Sequence, residues 1–330
     1  MRVVMLNKTW LLSAWLLILP IAVYAEDYEA VEKWLQKMHR ASHTLNYVGK
    51  FVYQQDKQLT MMKIIHAVDE HGERERLVSL DEVGREVIRE KNKVTCILPD
   101  RKSVVVEKGR PNLQFPPAFP MNIDHLKDQY EFKLASRERV AGQTAQKITI
   151  DPIDQFRYGH RLWVDVDTGL LLKTHLIDER GQLLEQFMFT DIEFRDEIPE
   201  DMLKPGVQGQ NYTWYEAEDN THEHQTSHKD MADHWKVSQM PAGFMHDMQR
   251  DHHMPNKTAV KHMVFSDGLA SVSVFIEKRN KQSPNLVDAS RMGAVNAYGK
   301  ELNEYSVTAV GEVPQATVKM ISESVILNQQ

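Results

Sequence analysis

The sequence predicts an α+β protein with two β-rich domains, and three observations support this fold class. Short runs of β-branched and aromatic residues recur along the chain, separated by turns that contain Asp and Gly, which is typical of antiparallel sheets. An amphipathic segment with helical spacing precedes the first of these runs. A polar stretch with few aliphatic residues, 206–230, divides the chain into a larger N-terminal and a smaller C-terminal part.

Residues 1–25 are typical of a cleavable secretory signal peptide. Arg2 and Lys8 form a short positive region, residues 10–23 are apolar apart from Ser13, and small or compact residues occupy the cleavage site at 23–25. The apolar run is short for a membrane span, so cleavage is favoured over the alternative of a retained anchor. No Cys follows the run, so a lipoprotein is not expected. We therefore expect a protein that is soluble in a bacterial periplasm after cleavage.

The charge of the chain argues against nucleic acid as a partner. The formal net charge is −7, and residues 1–25 carry two positive charges and no negative one, so their removal leaves about −9. A surface that binds phosphates needs a basic face. Cys96 is the only cysteine, so no intramolecular disulfide is possible and packed cores must supply the stability.

The first domain, 26–205, is predicted to begin with a helix and to continue as a meander of strands. Residues 27–45 have helical spacing, and their apolar face consists of Val31, Trp34, Leu35, Met38 and Leu45. Residues 111–120 contain four prolines, which predicts a stiff loop that carries Phe115 and Phe119. Strands are then expected at 130–138, 144–150, 160–165, 170–177 and 183–194, before a helical turn at 196–205.

Residues 206–230 are interpreted as a linker, in which Trp214 and Tyr215 are aromatic exceptions. The second domain, 231–330, contains a predicted hairpin around Ser266-Asp267-Gly268. Two further strands and one helix are expected after it, at 293–301, 305–313 and 315–327.

The stretch 158–176 has features of an active site. Asp165 and Asp167 are two residues apart and would face the same side of a strand, and Asp167-Thr168-Gly169 matches the tripeptide of aspartic proteases. The second such turn that a protease needs is absent from the sequence, and the phosphatase signature needs Thr where Gly169 stands. A hairpin turn with no catalytic role is the preferred interpretation, because Asp and Gly recur together in the turns at 69–72, 81–84 and 178–181.

Histidines and methionines are frequent after residue 220, and their imidazole and thioether groups are ligands that would suit copper. No spacing matches a known metal cage, so a His-rich polar linker is the preferred interpretation and neither a metal nor a cofactor is expected. Cys96 lies in an apolar run and is expected to be a buried small hydrophobe. No nucleophile elbow and no phosphate-binding Gly loop is present in the sequence, which predicts a protein that is not an enzyme.

The strands around residues 160–194 are apolar on both faces. Leu162 and Val164 oppose Trp163, and Phe187 and Phe189 oppose Met188. An antiparallel sheet with one face in water alternates apolar and polar residues. One face is therefore expected to pack on helices, while the other surrounds either a ligand cavity or a filled core.

Several segments, in order, resemble signature segments of the periplasmic sigma-E regulatory protein family called RseB or MucB. They are "NYVGKFVY" (46–53), "YGHRLWVDVDTGLLLKTHLIDERGQLLEQFMFTDI" (158–192), "SDGLASVSVFIE" (266–277), "GAVNAYG" (293–299) and "VTAVGEVP" (307–314). The resemblance covers about residues 26 to 325. The His-rich run in the linker departs from the family pattern.

The resemblance implies a fold for each domain. The N-terminal domain would be similar to the lipoprotein carriers LolA and LolB, with a strongly curved, incompletely closed antiparallel sheet, helices that plug its concave side, and an apolar cavity. The C-terminal domain would be a smaller α+β unit that contributes to binding the periplasmic part of a membrane anti-sigma factor similar to RseA or MucA.

The resemblance also implies a function, which is negative regulation of the envelope stress response. Bound to the anti-sigma factor, the protein would shield it from the first, site-1, proteolytic cut. Lipopolysaccharide or lipoprotein acyl chains would release it. The family is not enzymatic and self-associates, so a homo-oligomer is expected.

Aromatic residues are our candidates for both binding sites. The lipid cavity is assigned to Phe51, Tyr53, Trp163, Phe187 and Phe189, with Phe115 and Phe119 at its mouth. Contact with the anti-sigma factor is assigned to Trp214, Tyr215, Trp235 and Phe244, for which core packing or linker anchoring is the alternative. We hypothesise that acyl chains in the cavity change the angle between the domains and break a peptide site that spans them.

Two other functions are alternatives. A lipid or lipoprotein carrier is supported by the N-terminal domain alone, and the second domain argues against it. A periplasmic metal-binding protein is supported only by the number of His and Met residues.

Overall fold

The computed structural model describes residues 21–81, 84–108, 119–207, 211–217, 235–253, 259–279 and 286–327. The predicted α+β class is confirmed, since a 12-stranded sheet with few helices forms the N-terminal domain and a separate six-stranded sheet forms the core of the C-terminal domain. In the part of the chain that the structure describes, no helix combines the length and the apolar character needed to cross a membrane.

The N-terminal domain begins with helix α1 (Ile21–Thr44), and the short helix α2 (Glu200–Leu203) follows its long meander. Its strands are β1 (Asn46–Gln55), β2 (Gln58–Asp69), β3 (Gly72–Ser79), β4 (Glu86–Glu90), β5 (Lys93–Leu98), β6 (Ser103–Lys108), β7 (Tyr130–Val140), β8 (Gln143–Pro152), β9 (Gly159–Asp165), β10 (Leu171–Ile177), β11 (Leu183–Arg195) and β12 (Thr213–Ala217). The predicted strands between 130 and 194 are thus all present.

The large sheet is open and strongly curved. Its strand order is β12-β6-β5-β4-β3-β2-β1-β11-β10-β9-β8-β7, so β12 and β7 are its two edges. Neighbouring strands are antiparallel except for β12, which runs parallel to β6. Cα atoms of β7 and β11 approach within 8 Å although three strands lie between them. A flat sheet would separate these strands by about 19 Å, so this end of the sheet curls back on itself.

Both faces of the curved part are packed, as the two-faced pattern predicts. Helix α1 places Val31 and Leu35 against one face, where they meet Leu162 and Val164. Trp163 points to the opposite face, into a second cluster with the aromatic side chains of β1 and β11. The alternation along β9 therefore divides one strand between two cores.

The C-terminal domain consists of a sheet with one helix on it. Its elements are β13 (Trp235–Val237), β14 (Met245–His253), β15 (Ala259–Ser266), β16 (Ser271–Lys278), β17 (Asp288–Met292), β18 (Val295–Leu302), β19 (Tyr305–Gly311), α3 (Gln315–Glu323) and β20 (Val325–Leu327). The six-stranded order is β14-β15-β16-β19-β18-β17, and β13 pairs with β20. Helix α3 packs over β18 and β19. The predicted hairpin and two strands are present. The helix predicted at 315–327 ends at Glu323, and its last residues form β20 instead. β13, β14, β17 and β20 were not predicted.

The segment 206–230, predicted as a linker, is partly structured. Residues 213–217 form β12 and extend the large sheet by one parallel strand. Most of the remaining part of this segment, including its histidines, lies outside the described residues. Two of the aromatic residues of the segment, Trp214 and Tyr215, belong to this edge strand.

The Asp-Thr-Gly stretch is a hairpin turn, as predicted. Asp165 Oδ2 accepts hydrogen bonds from the backbone N of Thr168 at 2.9 Å and from its hydroxyl at 2.6 Å. Gly169 has φ +88°, a left-handed conformation that Gly adopts without steric cost. Lys37 of α1 donates to the carbonyl of Asp167 at 3.0 Å, which fastens the helix to the turn.

Candidate functional site at the domain junction

A buried ion pair joins the two domains. Arg157, in the loop between β8 and β9, is fully buried, and its Nε lies 2.5 Å from Oδ2 of Asp267 at the tip of the β15–β16 hairpin. The guanidinium also donates to Asp154 and to the carbonyl of Ala242. Burial alone would lower the pKa of Arg157, but the hydrogen bond and charge of Asp267 raise it above its ordinary value. The arginine is therefore a permanent cation with partners in both domains.

Asp267 is also held by its own turn. Its Oδ1 accepts hydrogen bonds from the backbone N of Leu269 at 2.9 Å and of Ala270 at 2.7 Å. Its Oδ2 accepts a further hydrogen bond from the hydroxyl of Tyr130 at 3.1 Å. Gly268 follows with φ +102°, which allows the tight tip. One carboxylate thus closes a hairpin and receives two donors from the other domain.

Aromatic rings enclose the guanidinium of Arg157. Its Cζ lies 5.6 Å from the ring centroid of Tyr130 and 5.1 Å from that of Phe244. Such cation–π contacts are stronger where water is excluded, as it is around this buried arginine. Phe244 comes from the C-terminal domain and Tyr130 from β7, so the rings also belong to both sides of the junction.

The loop 154–158, which carries Arg157, makes a second set of contacts with the C-terminal domain. Asn296 donates from Nδ2 to the hydroxyl of Tyr158 at 2.9 Å. Thr317 donates from its hydroxyl to the carbonyl of Phe156 at 2.7 Å. Consecutive residues of one loop therefore contact β18, α3 and the β15–β16 hairpin, which fixes the loop as the centre of the junction.

An open apolar cleft of about 900 Å³ lies beside this junction, between α1, a 3-10 turn at Asp124–Leu126, and β7. Its apolar lining consists of Tyr28, Tyr130, Phe132, Pro152 and Ile153. Charged side chains, Glu29, Glu32, Asp124, Lys127 and Glu131, form its rim. The rings of Tyr28 and Phe132 meet edge to face at 5.7 Å. A space of this size with an apolar floor and a polar rim is suited to an acyl chain or a comparable apolar group.

The predicted cavity residues lie elsewhere and fill a core. The rings of Phe51, Phe187 and Phe189 pack with centroid separations between 5.1 and 6.0 Å. Trp163 belongs to the same cluster, and Tyr53 packs at its edge. These five side chains occupy the space between them, so the filled-core alternative describes them, and the open cleft has a different lining.

The two residues predicted at the cavity mouth have different positions. Phe119 packs against the core beneath α1 and meets His160 edge to face at 5.5 Å. Phe115 lies outside the described residues. The residues that line the cleft were missed because they come from a helix, a 3-10 turn and two strands, and no local periodicity connects these elements.

The four predicted partner contacts fall in two places. Trp214 and Tyr215 are 55% and 56% exposed on the edge strand β12. Trp235 and Phe244 are 8% and 5% exposed and belong to the core of the C-terminal domain. Only Trp214 and Tyr215 present large accessible surfaces. Trp235 instead packs edge to face on Tyr305 at 5.0 Å, and Phe244 faces Arg157.

The described residues contain no cluster of side chains that could bind a metal ion. Among these residues no three side chains of His, Cys, Asp or Glu come together in a manner that could hold an ion. The run from His222 to His234 lies outside them. Cys96 is half-buried, and burial, reinforced by the charge of Glu107, raises the pKa of its thiol, which disfavours the reactive thiolate.

Two domains joined by a buried ionic contact, next to an open apolar cleft, define a two-domain binding protein. The chain belongs to the MucB/RseB family. The model of the MucB/RseB N-terminal domain matches residues 30–207, and the model of the MucB/RseB C-terminal domain matches residues 229–326.

Relatives are similar over nearly their whole length. The sigma factor AlgU regulatory protein MucB of Pseudomonas aeruginosa is 31% identical over 92% of this chain and 93% of its own. The sigma-E factor regulatory protein RseB of Haemophilus influenzae is 28% identical over 94% of this chain and 95% of its own. Both are regulatory proteins by name.

Two solved structures share the fold over both domains. A crystal structure of MucB in complex with MucA(peri) has a TM-score of 0.69 at 28% identity, covering 90% of this chain and 99% of that one. A crystal structure of MucB has a TM-score of 0.60 at 28% identity, covering 91% and 98%.

Proposed function

We propose that this protein is a periplasmic regulator of the envelope stress response that binds the periplasmic segment of a membrane anti-sigma factor. The observation that carries the proposal is the similarity to MucB in complex with MucA(peri), which extends over both domains and 90% of this chain. The regulatory names of the relatives favour a binding role rather than an enzymatic one.

The edge strand β12 supports a location for the anti-sigma segment. It pairs with β6 on one side and is the last strand in the sheet order, so a segment of extended peptide can add to it. Trp214 and Tyr215 are neighbours on this strand and point to opposite faces of the sheet. An added strand would therefore meet an aromatic side chain on each face. Trp235 and Phe244, being buried, would act by shaping the junction.

Binding would protect the anti-sigma factor, and an amphiphilic ligand would release it. A bound peptide in an extended, paired conformation is withheld from a protease. The apolar cleft beside the junction is the feature that supports an acyl-chain ligand, such as that of lipopolysaccharide or a lipoprotein. Release requires the ligand to favour the conformation that binds the anti-sigma segment weakly, because equal affinity for both conformations shifts nothing. We also propose that the protein self-associates. Nucleic acid is not proposed as a partner.

A reconstituted proteolysis assay tests this function. The periplasmic segment of the cognate anti-sigma factor would be incubated with its site-1 protease, with and without this protein. We expect the protein to slow cleavage and an acyl amphiphile to restore it. Cleavage at an unchanged rate with the protein in excess would refute the proposal, and recovery of lipoproteins instead of the anti-sigma factor in a pull-down would favour a carrier.

A further inference from the structure

We propose that Tyr130 couples occupation of the apolar cleft to the ion pair between Arg157 and Asp267. The inference deepens the proposed function by naming the residue through which a ligand would act on the domain junction. It rests on that function for its physiological meaning, but the coupling itself is a property of this chain alone and can be measured without a partner.

Tyr130 belongs to both sites. Tyr130 is one of the residues that line the cleft, although the residue as a whole is only 2% exposed. Its hydroxyl donates to Asp267 at 3.1 Å, and its ring lies below the guanidinium of Arg157. Any ligand group that displaces the ring must therefore also change the hydrogen bond to Asp267 or the contact with Arg157.

The residues just before Tyr130 also lie between the cleft and the C-terminal domain. Asp124 and Lys127 face the cleft and form an ion pair of 2.6 Å at its rim. His125, between them, packs so closely on the hairpin tip that a Cβ on Gly268 would lie 2.5 Å from its Nε2. Gln129 packs in the same way on the C-terminal domain, where a Cβ on Gly243 would lie 2.8 Å from its side chain.

The segment 124–130 is thus a short wall between a ligand site and the junction. Its contacts with the C-terminal domain include two positions without a side chain, Gly268 and Gly243, and the carboxylate of Asp267. Close packing of this kind leaves no space to absorb a displacement, so a movement of the wall is transmitted to the hairpin tip. The hydroxyl of Tyr130 links this movement to Asp267 in particular. Asp267 is buried, so water cannot freely replace a hydrogen bond that it loses.

The test measures the distance between the domains as the cleft is filled. Spin labels would be placed at Lys50→Cys and Lys278→Cys, two exposed positions in different domains, in a Cys96→Ser background. The probe is 1-myristoyl-lysophosphatidylcholine below its critical micelle concentration, titrated to saturation. We expect the probe to shift the distance distribution of the parent protein, and Tyr130→Phe to retain less than about a third of that shift.

Tyr158→Phe is the matched control, because it removes a hydroxyl from the same junction and Tyr158 does not line the cleft. We expect this variant to show the full shift. Three outcomes would overturn the proposal: a parent protein that does not bind the probe or binds it without a shift, a full shift in Tyr130→Phe, or an equal loss in Tyr158→Phe. A failure to bind the anti-sigma segment would refute the proposed function and leave this result unaffected.

Discussion

Arg157 and Asp267 are 110 positions apart in the sequence and form a fully buried ion pair between the two domains, with 2.5 Å between Nε and Oδ2. A buried pair contributes little stability relative to apolar residues of similar size, but removal of one partner leaves a charge that water cannot reach. The pair therefore favours one relative position of the domains more strongly than any other.

Asp267→Asn should destabilise the protein strongly. The substitution keeps the shape of the side chain but leaves buried Arg157 with Asp154 as its remaining anionic partner. Loss of the buried partner costs about 3 kcal/mol in the free energy of unfolding. Urea unfolding of the two proteins measures this difference. Asp191→Asn is the control, since its ion pair with Lys50 is 3.9 Å long and exposed to solvent. We expect it to change stability by less than about 0.5 kcal/mol, and equal effects of the two variants would contradict the role of the buried pair.

Acid should weaken the fold through His160. Burial lowers the pKa of this histidine from 6.5 to about 4, opposed by the charge of Asp267 and assisted by that of Arg161. Between these two values the unfolded chain binds a proton that the folded chain does not. Stability is therefore highest above pH 6.5 and decreases as the pH falls toward 4, by about 1–2 kcal/mol for this half-buried group.

The contribution of His160 can be measured as the slope of the free energy of unfolding against pH. Free energies of unfolding between pH 4.5 and 7.5 should depend less on pH in His160→Gln than in the parent protein. His71→Gln, at an exposed position, is the comparison variant for the loss of an imidazole elsewhere in the domain. The same slope in His160→Gln and in the parent would show that this group does not titrate abnormally.

Local patterns in the sequence predicted the fold well. The spacing of Val31 and Leu35 predicts the buried face of α1, and the opposition of Trp163 to Leu162 predicts a strand with two cores. Such patterns depend on neighbours within a few residues. The Asp and Gly of each turn are equally local, which is why the role of Asp165 as a turn residue was predicted and is confirmed.

The site was predicted less well because its residues are distant in the chain. Arg157 and Asp267 meet only when the two domains pack, and nothing near either residue indicates the other. The side chains of Phe51 and Phe187 were assigned to a cavity, but the alternation of a strand does not reveal whether the enclosed space is empty or filled. Strand β12 lies in a segment that was predicted as a polar linker, where Trp214 and Tyr215 were noted as aromatic exceptions.

Ile153→Ser should weaken the binding of an apolar probe without unfolding the protein. Ile153 lines the cleft and is 64% exposed, so its replacement removes apolar contact area with a ligand and little with the protein. We expect affinity for 1-myristoyl-lysophosphatidylcholine to fall about three- to tenfold. Val287→Ser, at an exposed position of the C-terminal domain, is the control. Equal affinities of Ile153→Ser and the parent would place the probe elsewhere.

Asp165→Asn combined with Asp167→Asn should leave ligand and partner binding intact. Asp165 accepts its hydrogen bonds from Thr168 within the same turn, so its carboxylate is used locally. A stability cost of about 1 kcal/mol is expected from weaker turn contacts. Binding of the probe and of the anti-sigma segment should remain within about twofold of the parent values. A folded variant that no longer binds would restore the interpretation of this stretch as a functional site.

Trp214→Ala combined with Tyr215→Ala should weaken binding of the anti-sigma segment at least about tenfold. Both side chains are more than half exposed on the edge strand β12. Their removal should therefore change the stability of the free protein little, but it removes contact area from a peptide that adds to the strand. Leu59→Ala with Met61→Ala is the matched control, because these residues are also exposed and apolar but lie on β2, inside the sheet order. Calorimetric titration with the periplasmic segment compares the three proteins. Affinity that is unchanged in the aromatic variant, or reduced equally in both variants, would remove β12 from the binding site while leaving the junction as the remaining candidate.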